Sequence, residues 1–493
     1  MSKGEQTERF STDADWNAVY IDGEWYKPEG SESIKVSDPM TQEVFAEVPA
    51  CDEGDVTDAF NAAEEAQEDW GARPVEERQE ILTAAKNEMM SRMPDVKELL
   101  AVEAGSTVPK QMGEVNFSRG IMDWMADFDD FETEHESTFE GKTNRVVREP
   151  VGVVATVCPW NFPLYMAMRA VAPALVAGNS VVLKPSTETP ITGGLAVARL
   201  FEEAGLPGGV LNVVTGRGSD IGDAVVSDPR AESVNFTGST DIGRRVGRLA
   251  GDNVAEVALE LGGNCPYVVT DDADLEWAVT AGLFGTFMHQ GQICVSINRH
   301  VVHEDVYDEY VERFVERTEE LGAGEPQDAS NVVGPVINES QRDQIIEFIE
   351  RSVEAGATLE TGGNADGLLV EPTVLSDATN QMAASCNEHF GPVAPIIPVE
   401  DDDEAVEVAN DTGYGLSAAV HCQDHERARE LADRIESGMV HINDQPMHDE
   451  PHMPFGGVKM SGVGRFNGEW VIEEMTETKW ISEQDEPRDY LVF

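Results

Sequence analysis

The sequence predicts an α/β fold built from two units, the first of which is a doubly wound parallel sheet. From Val151 onwards, short apolar runs alternate with longer helical patterns. A second alternation of this kind begins near Cys265. The third observation is the length of 493 residues, which exceeds one simple core and favours two or three packed units.

The first unit is predicted to run from helices into alternating strands and helices. Residues 55–92 carry apolar side chains at helical spacing among many Glu and Ala, which predicts long amphipathic helices. The following strands are predicted at 151–157, 180–183 and 210–214, with helices ending at 177 and spanning 189–204. Such sheets bind ligands at the carboxyl ends of their strands, so residues just past a strand are candidates for a site.

The second unit is predicted from apolar runs that follow a boundary near Leu261. Its strands are expected at 265–269, 300–302, 331–336 and 438–442. Short acidic runs such as 400–404 are expected to be solvated surface.

The chain carries an extreme negative charge. Its 34 basic and 94 acidic side chains give a formal net charge of -60. Such a charge repels nucleic acid and anionic membrane surfaces, so neither is expected as a partner. Only ten of the basic residues are lysines, and acidic, lysine-poor surfaces are typical of proteins from salt-saturated cytoplasm. A halophilic source is therefore predicted, with an acidic mesophilic protein as the alternative.

We expect the folded state to depend on salt. At molar salt the Debye length falls to roughly 3 Å, so repulsion between surface carboxylates is screened. In dilute buffer the same repulsion acts over a longer range and destabilises the compact state. Dialysis to low ionic strength, followed by circular dichroism and an activity assay, should show loss of structure or activity. Full retention of both would refute the halophilic assignment.

The sequence also predicts a cytoplasmic protein with reduced thiols. The segment 1–9 has no apolar stretch suited to secretion, and no run of about eighteen apolar residues occurs. Six cysteines are scattered without C-x-x-C spacing or nearby histidine pairs, which argues against a disulfide framework and a zinc site. No metal is expected.

Cys294 is the first candidate for a catalytic side chain. It lies in the segment Phe287-Met-His-Gln-Gly-Gln-Ile-Cys-Val-Ser, where Gly291 provides a hinge. A thiolate on such a turn can lie along backbone N–H groups that favour the anion and later stabilise an oxyanion. Between Ile293 and Val295, however, an inert buried cysteine fits the same pattern.

Further motifs favour the catalytic interpretation. Asn161 lies in Pro159-Trp-Asn-Phe-Pro163, Lys184 in Val182-Leu-Lys-Pro-Ser186, and Glu260 in Leu259-Glu-Leu-Gly-Gly-Asn264. Together with Phe236-Thr-Gly-Ser-Thr240, Glu388-His-Phe-Gly-Pro-Val393 and Pro454-Phe-Gly-Gly-Val-Lys459, these segments resemble the aldehyde dehydrogenase superfamily in order and spacing. The resemblance runs from about Tyr20 to the carboxyl terminus.

The resemblance implies a chemical role for three residues. Cys294 would attack the aldehyde carbon and form a thiohemiacetal. The side-chain amide of Asn161 and the backbone N–H of Cys294 would hold the oxyanion, and Glu260 would activate the water that cleaves the later thioester. Relatives that pass the acyl group to coenzyme A often lack this glutamate, so its presence implies release of a free acid. A structural glutamate at a strand end is the alternative for Glu260.

A nicotinamide cofactor, NADP or NAD, is implied as well. Gly238 and Ser239 follow a predicted strand at 233–236 and would open a helix whose free N–H groups can receive a phosphate, although a plain N-cap fits too. By resemblance, Lys184 binds the adenosine ribose and Glu388 the nicotinamide ribose. The other residues implied at the cofactor are Trp160, Ser186, Thr187 and Phe390. The glycines of 216–222 are expected to form a turn, because the last comes one residue too late for a dinucleotide fingerprint.

The choice between the two cofactors is expected to depend on Thr187. Many NAD-preferring relatives carry a glutamate three residues after the lysine, where it would repel a 2′-phosphate. Here Thr187 occupies that position and Glu188 follows it. Tolerance of NADP is therefore expected.

The same resemblance implies a substrate site. An apolar funnel is expected from Phe162, Met166, Ile293, Val295 and Phe455. Arg169 would face the substrate and bind a carboxylate or a phenolic oxygen, or else form a structural ion pair. The segments 290–294 and 448–457 resemble benzaldehyde, vanillin and salicylaldehyde dehydrogenases, which favours an aromatic or otherwise bulky aldehyde. A carboxylated semialdehyde, of the succinate semialdehyde or 2-oxoglutarate semialdehyde type, is the alternative.

The resemblance also implies domain boundaries. Residues 1–126 and 149–261 would form a Rossmann-like NAD(P)-binding domain, and residues 262–459 the catalytic domain. Residues 127–148 and 470–493 would form a small antiparallel extension that joins subunits into a homodimer or homotetramer.

Two other classes of function remain open at this point. A thiol esterase that uses Cys294 without a cofactor would hydrolyse activated esters and oxidise no aldehyde. An inactive binding protein that keeps the fold would do neither.

Overall fold

A computed structural model describes residues 10–28, 30–139, 141–488 and 490. The predictions for residues 1–9 and 491–493 concern segments that lie outside the described residues. In chain order the strands are β1 Val19–Ile21, β2 Glu24–Tyr26, β3 Ser33–Ser37, β4 Val44–Pro49, β5 Glu132–Glu136, β6 Lys142–Pro150, β7 Val153–Val157, β8 Ser180–Lys184, β9 Leu211–Val213, β10 Ala231–Thr237, β11 Glu256–Glu260, β12 Cys265–Val269, β13 Ile297–His303, β14 Thr358–Thr361, β15 Ala365–Asp366, β16 Leu369–Val370, β17 Thr373–Ser376, β18 Val393–Val399, β19 Ser417–His421, β20 Met439–Ile442, β21 Gly462–Val463 and β22 Thr476–Gln484. The α-helices are α1 Glu53–Gly71, α2 Val75–Ser91, α3 Met93–Ala104, α4 Val108–Ala126, α5 Pro163–Ala177, α6 Ala196–Glu203, α7 Asp223–Ser227, α8 Thr240–Asp252, α9 Leu275–Phe287, α10 Glu304–Glu319, α11 Glu339–Glu354, α12 Ala383–Cys386, α13 Asp402–Asn410, α14 His425–Arg434 and α15 Trp470–Glu473.

The first sheet is doubly wound, as the sequence predicts. Its five central strands are parallel in the order β9-β8-β7-β10-β11, while β2-β1 at one edge and β21 at the other run antiparallel. Side chains of β8 alternate between its faces. Val181 and Leu183 pack in the same core as α5, whereas Val182 packs in the core that contains residues of α1. Helices therefore cover both faces, which explains the uninterrupted apolar strands.

The second sheet has the order β14-β17-β18-β13-β12-β19-β20, and all its strands except β14 are parallel. The predicted strands at 265–269, 300–302 and 438–442 are confirmed as parts of β12, β13 and β20. The strand predicted at 331–336 is wrong, because this segment makes only an isolated bridge from Val333 to Ala323. Pro335 has no N–H to donate to a strand partner, and its carbonyl accepts a hydrogen bond from the Gln290 side chain instead.

β21 returns the chain from the second sheet to the first. Val463 pairs with Leu259 and Gly462 pairs with Glu260, so β21 is the antiparallel neighbour of β11. The segment between β20 and β21 therefore passes beside the end of β11.

A third, separate sheet is antiparallel and has the order β22-β6-β5. Its strands come from the two segments that the sequence assigns to an antiparallel extension, although β6 runs two residues past the predicted boundary at 148. Trp480 on β22 is exposed.

The described residues can be searched for disulfides, metal-binding clusters and membrane-spanning helices. All six cysteines are free. Over the residues placed in the structure, no three His, Cys, Asp or Glu side chains are grouped so that they could hold a metal ion. A search of the same residues finds no helix with the length and apolarity needed to span a bilayer.

Candidate active site

Parallel strands of the first sheet end at one edge and align residues that are far apart in sequence. Lys184 at the end of β8 pairs with Val157 at the end of β7, and Glu260 at the end of β11 pairs with Thr237 of β10. Asn161 follows β7 by a short connection. Three of the predicted functional residues therefore line the same edge, as expected for a parallel sheet.

The loop that carries Cys294 has an uncommon backbone. His289, Gln290 and Gly291 follow one another in the left-handed conformation, with φ of 50°, 56° and 70°. For residues other than glycine this conformation costs on the order of 1 kcal/mol or more each. Neighbouring groups must hold the loop against that cost, and Gln290 contributes by donating to the carbonyl of Pro335 at 2.7 Å.

Two glycines allow close backbone contacts around this loop. A Cβ at Gly263 would stand 2.1 Å from the carbonyl oxygen of Cys294. A Cβ at Gly291 would stand 2.1 Å from the carbonyl oxygen of Gly391. Neither site can accept a larger residue without moving the loop, so the position of Cys294 depends on both glycines.

Cys294 lies between two cavities. The central cavity, of about 260 Å³, is lined by Pro159, Trp160, Asn161, Met166, Thr237, Gly238, Ser239, Glu260, Leu261, Gly262, Cys294, Gln341, Gln344, Glu388 and Phe390. The apolar cavity, of about 270 Å³, is lined by Pro109, Lys110, Gly113, Phe117, Asn161, Phe162, Tyr165, Met166, Phe284, Met288, Ile293, Cys294, Val295, Met447, Asp449 and Phe455. Because Cys294 and Asn161 line both, groups bound in the two cavities would meet at the thiol.

Burial governs the ionisation of Cys294 and Glu260. It raises the pKa of the Glu260 carboxyl to about 8, while the charges of Arg169 and Arg465 act in the opposite direction. It also raises the pKa of the Cys294 thiol above its ordinary value, and the charge of Glu260 adds to that rise. Neither side-chain oxygen of Glu260 has a hydrogen-bond partner among the described residues. A carboxyl with a pKa near neutrality and unused oxygens is suited to general base catalysis.

Two N–H donors are available beside the thiol. Nδ2 of Asn161 donates to the carbonyl of Gln292 at 2.9 Å, which orients the amide against the loop and leaves its second N–H free. Within the described ranges the backbone N–H of Cys294 has no backbone acceptor. Together these groups can stabilise an oxyanion that forms next to the thiol.

An outer cavity of about 510 Å³ continues the crevice past the strand ends. It is lined by Val157, Lys184, Gly218, Ser219, Gly222, Asp223, Val226, Phe236, Ile242, Arg245 and Val246. Lys184 is buried there, and its ammonium donates to the carbonyl of Pro185 at 3.3 Å. Burial lowers its pKa to about 8. A buried ammonium with unused donors fits a ligand rich in hydroxyl oxygens, as the ribose of the predicted dinucleotide is.

The start of α8 provides a second feature that fits a dinucleotide. Gly238 and Ser239 line the central cavity, and Ser239 is the N-cap residue of α8. Its side chain accepts no hydrogen bond from the first turn. The first N–H groups of α8 are therefore available to a phosphate, which disfavours a plain N-cap.

Glu388, Trp160 and Phe390 also line the central cavity, as predicted. Oε1 of Glu388 accepts a hydrogen bond from the N–H of Gly263 at 3.0 Å. Burial raises the pKa of this carboxyl to about 7, although the hydrogen bond opposes the rise. The rings of Trp160 and Phe390 pack edge to face with centroids 5.4 Å apart.

Ser186 and Thr187 do not line the outer or the central cavity. Thr187 and Glu188 line a separate cavity of about 240 Å³. The chain turns away after Lys184, and Glu188 accepts a hydrogen bond from Asn338 at 3.2 Å. The structure thus does not bring these two predicted cofactor residues to Lys184's cavity.

The glycine-rich segment 216–222 is more than the predicted turn. Residues Gly218–Gly222 form a π-helical turn that leads into α7. Gly218, Ser219 and Gly222 line the outer cavity together with Lys184. The signal that could have predicted this place is that the glycines follow β9 directly, at the edge where the strands of the sheet end. The spacing of the glycines alone does not reveal it.

The five residues predicted to form an apolar funnel all line the apolar cavity. Sequence reasoning missed Phe117, Tyr165, Phe284, Met447 and Asp449, which line it too. Tyr165 could have been found, because it stands in the first turn of α5, which begins after the N-cap residue Phe162 and also carries Met166.

Arg169 does not line the apolar cavity, so the predicted contact with substrate is not observed. Its guanidinium lies 4.5 Å from the ring centroid of Phe455 and 4.7 Å from that of Phe466. In the described part of the chain Nη1 of Arg169 has no hydrogen-bond partner, and no ion pair forms. The charge of Arg169 nevertheless acts on Glu260, where it opposes the rise in the pKa of that carboxyl.

Comparison with known proteins agrees with this geometry. Residues 25–481 match the model of the Aldehyde dehydrogenase family. The chain is 45% identical over 465 residues to a vanillin dehydrogenase of Corynebacterium glutamicum, covering 94% of this chain and 96% of that protein. It is 40% identical over 478 residues to a benzaldehyde dehydrogenase [NAD(+)] of Pseudomonas putida, covering 96% and 98%. A succinate-semialdehyde dehydrogenase [NADP(+)] of Escherichia coli is 36% identical over 469 residues, covering 94% and 96%.

Solved structures are similar over nearly the whole chain. A crystal structure of betaine aldehyde dehydrogenase from Staphylococcus aureus in complex with NAD+ has a TM-score of 0.94 and 32% sequence identity, covering 99% of each chain. This similarity confirms the predicted α/β fold.

Proposed function

The chain belongs to the aldehyde dehydrogenase family and oxidises aldehydes with NAD or NADP, and on this basis we propose that its substrates are aromatic or otherwise bulky aldehydes. The observation that carries the proposal is the apolar cavity of about 270 Å³ beside Cys294, with its aromatic walls. A largely apolar pocket with few polar groups favours a ring or another bulky apolar group. The names of the vanillin and benzaldehyde relatives support the same substrate class.

Cys294 is the proposed nucleophile. Its raised pKa means that the thiol, which is partly exposed, must lose its proton to solvent before it attacks. The Sγ–carbon bond forms as the carbonyl electron pair moves onto oxygen. Nδ2 of Asn161 and the N–H of Cys294 then donate to that oxyanion, and each donor contributes about 3 kcal/mol in comparable sites.

The residues that would hold the cofactor are those of the outer and central cavities. Lys184 would bind the adenosine ribose, the start of α8 at Gly238 and Ser239 the phosphates, and Glu388 the nicotinamide ribose. At this site NAD or NADP would supply the acceptor for the hydride that the tetrahedral carbon gives up. Trp160 and Phe390 would keep water away from the central cavity with their rings.

Glu260 is the proposed base for hydrolysis. It takes a proton from water as the water oxygen attacks the thioester carbon, and the carbon–sulfur bond breaks to release the acid and the thiolate. Gly456 leaves room for the carboxylate, since a Cβ there would stand 2.8 Å from Oε1 of Glu260. This step makes the enzyme non-acylating.

A panel of aldehydes assayed at high salt tests the substrate class. We expect kcat/KM for benzaldehyde and cinnamaldehyde to exceed that for succinate semialdehyde at least about tenfold, because the apolar cavity fits a ring. The highest value for succinate semialdehyde would support the carboxylated alternative. Hydrolysis of activated esters without any aldehyde oxidation would instead contradict the dehydrogenase mechanism.

We expect NADP to serve as well as NAD within about tenfold in kcat/KM, since one modest charge contact is worth about that factor. Glu188 is held by Asn338 in another cavity, and Arg245 lines the outer cavity where it pairs with Asp223. The Arg245→Gln variant should therefore lose more efficiency with NADP than with NAD. The neighbouring Arg244 does not line the cavity, so Arg244→Gln is the matched control. Strict use of NAD by the unaltered protein would contradict this expectation.

The proposed domains keep the boundaries given above, with 1–126 and 149–261 binding the cofactor and 262–459 contributing the nucleophile. We also propose that the antiparallel extension joins subunits into a dimer or tetramer in the cytoplasm. The exposed Trp480 on β22 supports this, because a large apolar side chain on a sheet is typical of an interface. Light scattering at high salt measures the subunit number.

A further inference from the structure

A carboxylate stands in the wall of the apolar cavity. Asp449 lines this space and is only partly exposed. Its Oδ2 accepts a hydrogen bond from the hydroxyl of Tyr165 at 2.7 Å, and its Oδ1 accepts one from Nδ2 of Asn467 at 2.7 Å. These bonds fix the carboxylate, and each oxygen can accept a further hydrogen bond. The cavity therefore contains an oriented acceptor with spare capacity.

Asp449 is not engaged in an ion pair within the described part of the chain. Burial raises the pKa of its carboxyl, and the charge of Arg169 opposes the rise most strongly. The guanidinium of Arg169 is nevertheless held between the rings of Phe455 and Phe466. Among the described residues, no lysine or arginine forms an ion pair with Asp449. The arginine helps to keep Asp449 ionised while leaving its oxygens to other donors.

The other charged side chain in this wall is already engaged. Lys110 forms a buried ion pair with Glu114, and its ammonium lies 4.6 Å from the ring centroid of Phe162. A carboxylate on a substrate would have to break that pair to use the lysine. The apolar cavity thus favours a hydrogen-bond donor over an anion.

We propose that Asp449 selects aromatic aldehydes that carry a hydroxyl group on the ring and rejects those that carry a carboxylate on the ring. The proposal rests on the aromatic substrate class proposed above. A phenolic hydroxyl can donate to the carboxylate in apolar surroundings, where hydrogen bonds to charged groups are strongest. A second carboxylate would meet like charge after losing its water.

The first test compares three kinds of aldehyde, five compounds in all, with the unaltered enzyme at neutral pH and high salt. These are benzaldehyde, hydroxybenzaldehyde and carboxybenzaldehyde, each of the last two as its meta and para isomers. We expect kcat/KM for the better hydroxyl isomer to exceed that for benzaldehyde about tenfold or more, the value of one hydrogen bond to a charged group. The kcat/KM for both carboxyl isomers should be lower than that for benzaldehyde by at least a similar factor.

The second test is the Asp449→Asn variant, which keeps the side-chain size and removes the charge. In this variant the ratio of kcat/KM for the better hydroxyl isomer to that for benzaldehyde should fall about tenfold. The kcat/KM for the carboxyl isomers should rise, and that for benzaldehyde should change least. Glu450→Gln makes the same chemical change one residue along, where Glu450 bonds to His448 outside the cavity wall. This control should leave the order of the three aldehydes unchanged.

The outcomes separate the two proposals. Turnover of benzaldehyde without any preference for a hydroxyl isomer would overturn the role of Asp449 and leave the aromatic substrate class intact. Failure of all three aldehydes would overturn both. Because the first test needs no variant, loss of folding in Asp449→Asn would still leave the inference decided by the order of the substrates.

Discussion

The Cys294→Ala variant is expected to lose aldehyde oxidation by at least about 10⁴-fold, since removal of a covalent nucleophile leaves only binding and oxyanion stabilisation. A carbonyl carbon has no hydride that it can readily surrender until a nucleophile adds to it. In this crevice Cys294 is the thiol that lines both the central and the apolar cavity. Steady-state formation of reduced cofactor measures the loss.

Cofactor binding should survive this change, because the residues proposed for it belong to other segments. Quenching of protein fluorescence by NADH measures that binding. The matched control is Cys386→Ala, which removes an exposed thiol outside both cavities and should keep full turnover. Normal oxidation by Cys294→Ala would contradict the assignment of the nucleophile.

The Glu260→Gln variant is expected to separate the two halves of the reaction. Hydride transfer should still give a burst of reduced cofactor close to one equivalent, whereas steady-state turnover should fall about 10²- to 10⁴-fold, the usual value of a general base. Rapid mixing with a saturating aromatic aldehyde measures both phases. The amide keeps the size of the side chain but cannot accept the proton of the attacking water.

The pH dependence of the unaltered enzyme provides a second measurement on Glu260. The base must be ionised, so steady-state turnover should rise with pH through the pKa of about 8. Glu256→Gln is the matched control, because Glu256 lies exposed at the opposite end of β11. Slow steady-state turnover in both Glu260→Gln and Glu256→Gln would show a general effect on β11. Normal steady-state turnover in Glu260→Gln would show that Glu260 is not the base.

Most of the fold could be predicted because buried parallel strands leave an unmistakable pattern. The runs that became β7, β8 and β12 are largely apolar and buried at all but one position, since helices cover both faces of each sheet. The segment 331–336 has the same apolar character, yet its backbone is used by the loop before Cys294 through the carbonyl of Pro335. A local pattern cannot reveal such a long-range partner.

The site could be predicted wherever a short motif fixes both the backbone and the side chain. Asn161, Glu260 and Cys294 line the central cavity because strand ends and a strained loop position them. The surroundings of Arg169 could not be predicted, because its neighbours Phe455 and Phe466 come from a distant segment. Asp449 was missed for the same reason, since its partner Tyr165 is on α5.

The pairing of β21 with β11 bears on how the protein can be divided. A truncated product ending at Leu261 would present β11 as an open edge, because the strand that covers it is supplied by residues 462–463. Unpaired edges recruit other strands and promote aggregation. The half of the chain that contains the first sheet is therefore not an autonomous module, and domain-exchange engineering in this chain has to retain the late segment together with the early one.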